Sequence, residues 1–399
     1  MTALALDGRV TRTAGVADLE SGRPTTDETG RLRLAGDTKA FTAAAVIRLV
    51  ADGRIRLDAR AGTYVPQLAQ RAVTVRQLLK QTSGLPEYSA LVDWNGRPGT
   101  PEGYLALALG AEPVFEPGTD WGYSNTDCLV LGMVIDKVSG TDFRTYVERT
   151  ILRLLHLDDT YWPAPGELSL RGPHARSHGV HPAHPEAGRV DVTELPGYEF
   201  GASGGLVSTP EDLNAFWDGL FGGRLLPGRA LRLVTRDTTD VGGRDVYPAG
   251  SRYGYGVASI PLSCGGVYWG HGGDLPGDSV GGGRATAHRG TVTVYTTTWA
   301  AEGASLRHLQ KAVDASLCAP ADHRQGAGVG WFMAWTRLTR RAARTLRPLG
   351  RARRGGTSCA PRDRGPESVE GNTLKTVAKG FAHSAFRCSV PNRLFGGKG

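Results

Sequence analysis

The stretch "LAGDTKAFTAAAVIRLV", residues 34–50, decides how the chain is read. After Gly36 the residues Phe41, Ala44, Ala45, Val46, Leu49 and Val50 make a helix too apolar to lie on a surface, with Gly53 placed as its C′ residue. Such a helix belongs at the centre of a domain. It carries Lys39 near its head, and a lysine there enters the protein interior rather than solvent. What is missing is a nucleophile: three residues before Lys39 stands Gly36.

Around this helix the chain alternates between sheet and helix signals. "TALALDGRVTRTAGVADL", residues 2–19, reads as a β-hairpin. Thr74 and Gln77 form a capping box for a helix through Lys80, which stops in the turn sequence "TSGLP". Apolar helices follow from Asn125 to Val138, ended by Gly140, and from Phe143 to Leu155, so residues 60–200 read mainly as helix and loop. In "STPEDLNAFWDGLF" Thr209 is an N-cap, Pro210 the first helical residue and Asp212 the third. Strands then return in "YGYGVASIPL", "GVYWGHGG", "SVGGGRATA" and "TVTVYTTTW", before a closing helix from Ser305 to Leu317. The expected class is α+β: an antiparallel sheet built from both ends of the chain, flanked by helices, with a helical insertion. Its parts are a sheet subdomain, residues 1–60 plus 200–318, and a helical subdomain, residues 61–199. Residue 36 then falls at the junction of the two, where pockets commonly form.

Composition narrows the function classes. At 399 residues, 40% hydrophobic and 22% charged, the chain has enough apolar material for one large or two interlocked domains. No run approaches the ~18 apolar residues of a membrane span. The net charge of +8 suggests nucleic acid until it is located. Residues 319–399 hold 16 Lys and Arg against 4 Asp and Glu, a balance of +12, which leaves −4 for residues 1–318. That basic tail is rich in Arg and Gly, shows no apolar period and lacks interleaved aromatics; it reads as a disordered extension, and no nucleic-acid partner is expected. Five cysteines fit no zinc spacing. Cys264 and Cys318 are either a bridge closing a loop of roughly 55 residues or two buried thiols.

Three short motifs carry chemistry. Gly36-x-x-Lys39 is one serine short of an S-x-x-K signature. In "EPGTDWGYSNTD" Tyr123 and Asn125, two apart in an extended segment, project to one side, offering a phenol for proton transfer and an amide to hold a substrate backbone. His271-Gly272-Gly273 lies at the end of a strand, where glycines let a ligand approach the backbone. Two rival patterns fit less well. "GASGG", residues 201–205, matches G-x-S-x-G with Ser203, but the next helix signal begins only at Pro210. His174, His178, His181 and His184 are spaced by prolines and glycine that break any helical ligand geometry, so no metal site and no cofactor is expected.

Taken in order, these motifs resemble the serine β-lactamase and D-alanyl-D-alanine carboxypeptidase family, the branch in which S-x-x-K, Y-x-N and H-x-G recur. "VTVRQLLKQTSGLP", "SGGLVSTPEDL" and "GHGGDLPG" are similar to that family's segments, and the resemblance covers roughly residues 10–318. It implies the β-lactamase/D,D-peptidase-like fold and acyl transfer through an acyl-enzyme on peptide, ester or β-lactam carbonyls. Lys39 and Tyr123 would handle protons, Asn125 would bind the acyl-side amide and His271 would polarise the site. The amides of Gly36 and Asp274 would form the oxyanion hole. It also implies that Cys264 and Cys318 are bridged, as in secreted members. The family is usually exported, whereas "MTALALDGRV" shows no export signal, so localisation stays open.

The chain departs from this pattern twice. Gly36 occupies the nucleophile position, so hydrolysis is expected to be impaired, and a member that binds acyl-peptide or β-lactam-like ligands without turnover, or an esterase, is the alternative. Thr38 points about 200° away around the helix and cannot substitute. Gly272 and Asp274, candidate substrate-binding residues together with Gly273 and Asn125, stand where carboxypeptidases of the family carry hydroxyls, and Asp274 would repel a terminal carboxylate.

Overall fold

The computed structural model describes residues 2–6, 10–23, 30–93, 99–195, 200–244, 246–286, 290–298 and 304–319. The basic segment expected as a tail lies, from residue 320 onward, outside the described residues.

Both ends of the chain meet in one antiparallel sheet. β1 (Thr2–Leu6) and β2 (Val10–Ala14) form the hairpin read from the sequence, and β1 pairs with β12 (Thr291–Thr296). From there β11 (Asp278–Ala285), β10 (Val267–Leu275), β9 (Ala258–Pro261), β8 (Arg252–Tyr253) and β7 (Thr239–Asp240) complete the order β2-β1-β12-β11-β10-β9-β8-β7. The fold class is thus α+β, an antiparallel sheet flanked by helices.

"YGYGVASIPL", read as one strand, is two. β8 turns back onto β9 with Tyr253 opposite Ala258. Gly256 makes this turn at φ +69°, and a Cβ on it would lie 2.3 Å from the Ala43 Cβ, so the turn packs directly on the central helix. Two short pairs lie apart: β3 (Leu32–Arg33) with β6 (Val207–Ser208), and β4 (His178–Val180) with β5 (Arg189–Asp191). The second adds a hairpin to the otherwise helical stretch 60–200.

The central helix is α1 (Thr38–Ala51), every residue of which from Thr38 to Ile47 is buried. Asp52 caps it and Gly53 follows at φ +72°, the left-handed residue that ends a helix. Phe41 stacks on Phe216 of α8 (Pro210–Phe221) at 3.7 Å between ring centroids. In α2 (Val75–Lys80) both halves of the Thr74/Gln77 capping box form, and Gln81 closes it in the left-handed region. α3 (Pro101–Leu109) packs on α4 (Asn125–Ser139), which ends at Gly140 with φ +74°. The helix read from Phe143 onward is α5 (Phe143–Val147), a wide π turn over Glu148–Leu152, and α6 (Arg153–Leu155). α7 (Gly201–Gly204) and α9 (Gly228–Arg236) precede α10 (Ala304–Cys318), which lies on β11 and β12. Among the described residues no helix is long and apolar enough to cross a membrane.

Candidate functional site

Residue 36 is positioned by a strained turn. A single 3-10 turn, Ala35–Asp37, leads into α1, and Ala35 holds φ +46° although it is not glycine and is buried. Such strain persists only where the surrounding structure enforces it. Here β10 does so. A Cβ on Gly273 would lie 2.1 Å from the Leu34 carbonyl oxygen and 2.7 Å from the Gly36 nitrogen, so only glycine lets the strand and the turn come together.

Lys39, one turn further, is 1% exposed. Its Nζ donates to Asn125 Oδ1 at 2.6 Å and to the Ser203 carbonyl at 2.8 Å, and lies 4.5 Å from the centre of the Tyr123 ring. Burial lowers the ammonium pKa, opposed by Cys128 and the acidic residues Glu87, Asp37 and Asp127. Burial also raises the carboxyls of Asp37 and Asp127 well above the usual range, opposed in both by the nearby Lys39.

Tyr123 and Asn125 arrive from the segment that starts α4. Ser124 is extended (φ −141°, ψ 121°) and caps the helix, its Oγ accepting from the Asp127 amide at 3.2 Å. Ser124 therefore turns inward, and its two neighbours face the site, as their spacing implies. Glu87 anchors this segment: its Oε2 accepts from the Asn125 amide at 2.5 Å and its Oε1 from the Ser89 amide at 2.9 Å. The Asn125 side chain also donates to Ser89 Oγ at 3.4 Å.

His271 is 4% exposed on β10. Its Nδ1 lies 2.6 Å from the Gly272 carbonyl oxygen, which can only accept, so the proton resides on Nδ1. Nε2 is then the acceptor for the Tyr253 hydroxyl at 3.1 Å. Burial, reinforced by the nearby Lys39, pulls the imidazole pKa down to about 3, so the ring is neutral at physiological pH.

Gly36 faces this assembly at close range. A Cβ placed on it would lie 2.6 Å from the Tyr123 Oη, 2.6 Å from the Gly272 carbonyl oxygen and 3.3 Å from His271 Cε1. A side chain at residue 36 would thus have to displace the phenol and the strand carbonyl. Gly36, Tyr123, Asn125, His271, Gly272 and Asp274 line one pocket, while Lys39 and Gly273 sit directly behind its wall. Asp274 is tied across the sheet by a hydrogen bond from Ser279 Oγ.

Some participants escaped the sequence. Glu87 stands just after the "TSGLP" turn, in a segment noted for its likeness alone, and Tyr253 lies inside a stretch read only as strand. Ser203 was weighed as an elbow nucleophile, yet it sits within α7, its Oγ donates to the Phe200 carbonyl at 2.7 Å, and its own carbonyl receives Lys39. That placement is not the strand-to-helix turn an elbow requires. Of the four histidines in the loop, His178 enters β4 and the His181 and His184 rings lie 5.4 Å apart; no group of three metal-ligating side chains occurs among the described residues. Cys264 and Cys318 form a disulfide, with Cα atoms 5.6 Å apart, that ties the turn before β10 to the end of α10. Cys128 is a buried free thiol.

Comparison with known proteins identifies relatives of the chain. A D-stereospecific amidohydrolase from a Streptomyces species superposes with a TM-score of 0.69 at 32% identity, covering 80% of this chain and 94% of that one. D-amino acid amidase from Ochrobactrum anthropi SV3, complexed with L-phenylalanine amide, gives 0.68 at 26% identity, with 79% and 91% covered. Penicillin-binding protein 4* of Bacillus subtilis is 30% identical over 152 residues, 37% of this chain, and protein flp of Staphylococcus aureus (strain N315) is 30% identical over 142 residues, 33% of this chain. The chain thus spans about a third of the length of these two, 33% and 28% respectively. The Beta-lactamase family matches residues 2–316, and the chain belongs to that family of serine hydrolases, amidases and penicillin-binding proteins.

Proposed function

We propose that the pocket is an acyl-transfer site of this family that has kept its carbonyl-binding apparatus and lost its nucleophile, so that it holds peptide, ester or β-lactam ligands without forming an acyl-enzyme. In this reading the ligand carbonyl sits before Gly36 and is polarised by the amides of Gly36 and Asp274. Asn125 presents its amide to the acyl side, and the Lys39 ammonium sets the orientation of that amide by occupying Oδ1. Tyr123 and Lys39 form the proton-handling pair. Neutral His271, fixed between Tyr253 and the Gly272 carbonyl, holds the strand in place without contributing a charge.

The observation that carries this reading is the closure at Gly36. An active member needs a side-chain oxygen there; this chain has none, and a Cβ at residue 36 would have to displace the Tyr123 phenol and the Gly272 carbonyl. Loss of a nucleophile costs several orders of magnitude in rate, while binding and oxyanion stabilisation survive it. The solved neighbours include a D-stereospecific amidohydrolase and a D-amino acid amidase, which favours amides of D-amino acids as the ligands to try first.

Isothermal titration of the native chain with N-acetyl-D-phenylalanine amide tests it. The expected result is saturable binding, weakened about tenfold or more by Asn125→Ala, with no ammonia released on incubation. Steady ammonia release that survives repurification would contradict the loss of turnover.

A further inference from the structure

Resting on that reading, the geometry points to a subsite that continues the pocket beneath α10: it takes a neutral ligand side chain with an apolar body and a hydroxyl at its tip, a hydroxyphenyl ring foremost, and Tyr268 recognises that hydroxyl. The subsite begins at Gly272, whose carbonyl oxygen lies 2.6 Å from the Cβ position of Gly36. A Cβ on Gly272 would itself lie 3.3 Å from Leu306 Cδ2, so this position faces α10. By the two-residue alternation of a strand, Gly270 and Tyr268 share that face, and between Gly272 and Tyr268 it carries no side chain. The ladder continues the open floor sideways, with Gly281 and Gly283 opposite Gly272 and Gly270 on β11, and it sets Ile260 of β9 beside Tyr268. The roof is one face of α10, formed by Leu306, Gln310 and Val313. Ile260, Tyr268 and these three helix residues line the same pocket as Gly36, Tyr123 and Asn125.

Tyr268 gives this trough a polar end. It is 2% exposed, yet none of the described residues hydrogen-bonds its hydroxyl. Other buried tyrosines are satisfied: the Tyr253 hydroxyl meets His271 Nε2, that of Tyr255 donates to Asp237, and that of Tyr88 lies 3.4 Å from Ser203 Oγ. A buried phenol normally finds such a partner, and the pocket that Tyr268 lines is where one can reach it. Burial, with the acidic residues Asp37 and Asp314 nearby, holds the phenol above its usual range, so it remains an O–H that can donate or accept. Half-buried Gln310 adds an amide to the otherwise apolar roof. The pocket as a whole holds about 180 Å³. An apolar cavity of ~150 Å³ takes a benzene ring, so one aromatic ring fits between Ile260, Leu306 and Val313. A plain phenyl group there leaves the Tyr268 hydroxyl unpaired, whereas a hydroxyphenyl group bonds to it. Sites built to hydrogen-bond a ligand hydroxyl discriminate against the analogue that lacks it.

The test is equilibrium binding to the full chain of N-acetyl-D-tyrosine amide and of N-acetyl-D-phenylalanine amide, for the native protein, Tyr268→Phe and Gln310→Leu. Tyr268→Phe keeps the ring and removes only the hydroxyl, and circular dichroism checks that both variants are folded. The expected result is a preference of about tenfold or more for the tyrosine amide in the native chain, reduced to under about threefold in Tyr268→Phe. The loss should fall on the tyrosine amide, with binding of the phenylalanine amide unchanged, which a general loosening of the pocket would not produce. Gln310→Leu should lower the same preference, and it decides the matter should Tyr268→Phe fail to fold. Binding of the phenylalanine amide with no preference in the native chain, or with a preference that Tyr268→Phe leaves unchanged, overturns the subsite while leaving the pocket assignment intact. If neither compound binds any of the three proteins, the pocket assignment itself falls and takes this inference with it.

Discussion

The phenol oxygen of Tyr123 lies 2.6 Å from the point that a Cβ on Gly36 would occupy. A real Cβ does not tolerate that distance, so the absence of a side chain at residue 36 and the position of the Tyr123 phenol are a single feature of the site. The same point is 2.6 Å from the Gly272 carbonyl, which is backbone and yields less readily than a side chain.

Adding a methyl group at residue 36 should therefore cost stability through overpacking, by about 1–3 kcal/mol for Gly36→Ala. Removing the hydroxyl in Gly36→Ala/Tyr123→Phe should recover part of the loss, because the two groups compete for one volume. Chemical denaturation of the four proteins of this double-mutant cycle measures the coupling, and strict additivity would show that the phenol does not close the space.

Acid should weaken the protein through His271. The folded protein takes up this proton only near pH 3, whereas the unfolded chain takes it up near 6.5, so between these values protons favour unfolding and stability falls as pH drops. The limit is about 5 kcal/mol for a shift of this size. His271→Gln should flatten the difference curve between pH 6.5 and 3 relative to the native chain. Parallel curves for the two proteins would contradict a buried neutral ring.

A second acid-sensitive link joins α2 to the segment after α9. Asp237 accepts from Arg76 Nη1 and Lys80 Nζ, each at 2.6 Å, and from the Tyr255 hydroxyl at 2.5 Å. These three donors overcome the cost of partial burial and pull its carboxyl down to about 2 from 3.8, so its contribution is complete above pH 4 and disappears as pH falls toward 2. With Asp237 about a third exposed, screening leaves roughly 1–2 kcal/mol at neutral pH. Asp237→Asn should lose that amount in urea denaturation at pH 7 and nothing at pH 2; an equal loss at both pH values would mean that packing rather than charge is at stake.

Reduction should loosen α10. The Cys264–Cys318 bridge spans a sequence separation of 54 residues, and on the chain-entropy model opening it costs about 4 kcal/mol. Cys264→Ser/Cys318→Ser should melt several degrees lower than the oxidised protein, and a reducing agent should lower the melting temperature of the native chain while leaving the double variant unchanged. Equal melting temperatures for oxidised native chain and double variant would contradict a stabilising bridge.

Local signals made most of this architecture legible. The capping box at Thr74, the Thr209-Pro210 start and the closing glycines at 53 and 140 each dictate backbone geometry within a few residues, and each appears where it was read. The three motif segments likewise converge on one pocket, although His271-Gly272-Gly273, read as a strand end, lies in the middle of β10, where pairing with β11 holds it. Long-range partners stayed hidden. Nothing near Glu87 indicates that its carboxylate will cap the Asn125 amide, and nothing near Tyr253 indicates a bond to His271, since both contacts arise only when distant segments pack. The turn at Gly256 escaped for the same reason: its demand for glycine comes from Ala43 on α1. The closure in front of Gly36 also required the fold, because the sequence displays a missing hydroxyl but not the Tyr123 and Gly272 oxygens in its place.

Intact mass spectrometry of the native chain and of Gly36→Ser, each incubated with a penicillin and with its methyl ester, tests the central claim most directly. The account predicts that Gly36→Ser, its new side chain displacing the Tyr123 phenol, gains the mass of the drug, and that the native chain stays at its own mass. A native chain that gains the mass would contradict the account by revealing another nucleophile, and a Gly36→Ser protein that is folded yet unlabelled by either compound would show that the pocket is not an acyl-transfer site.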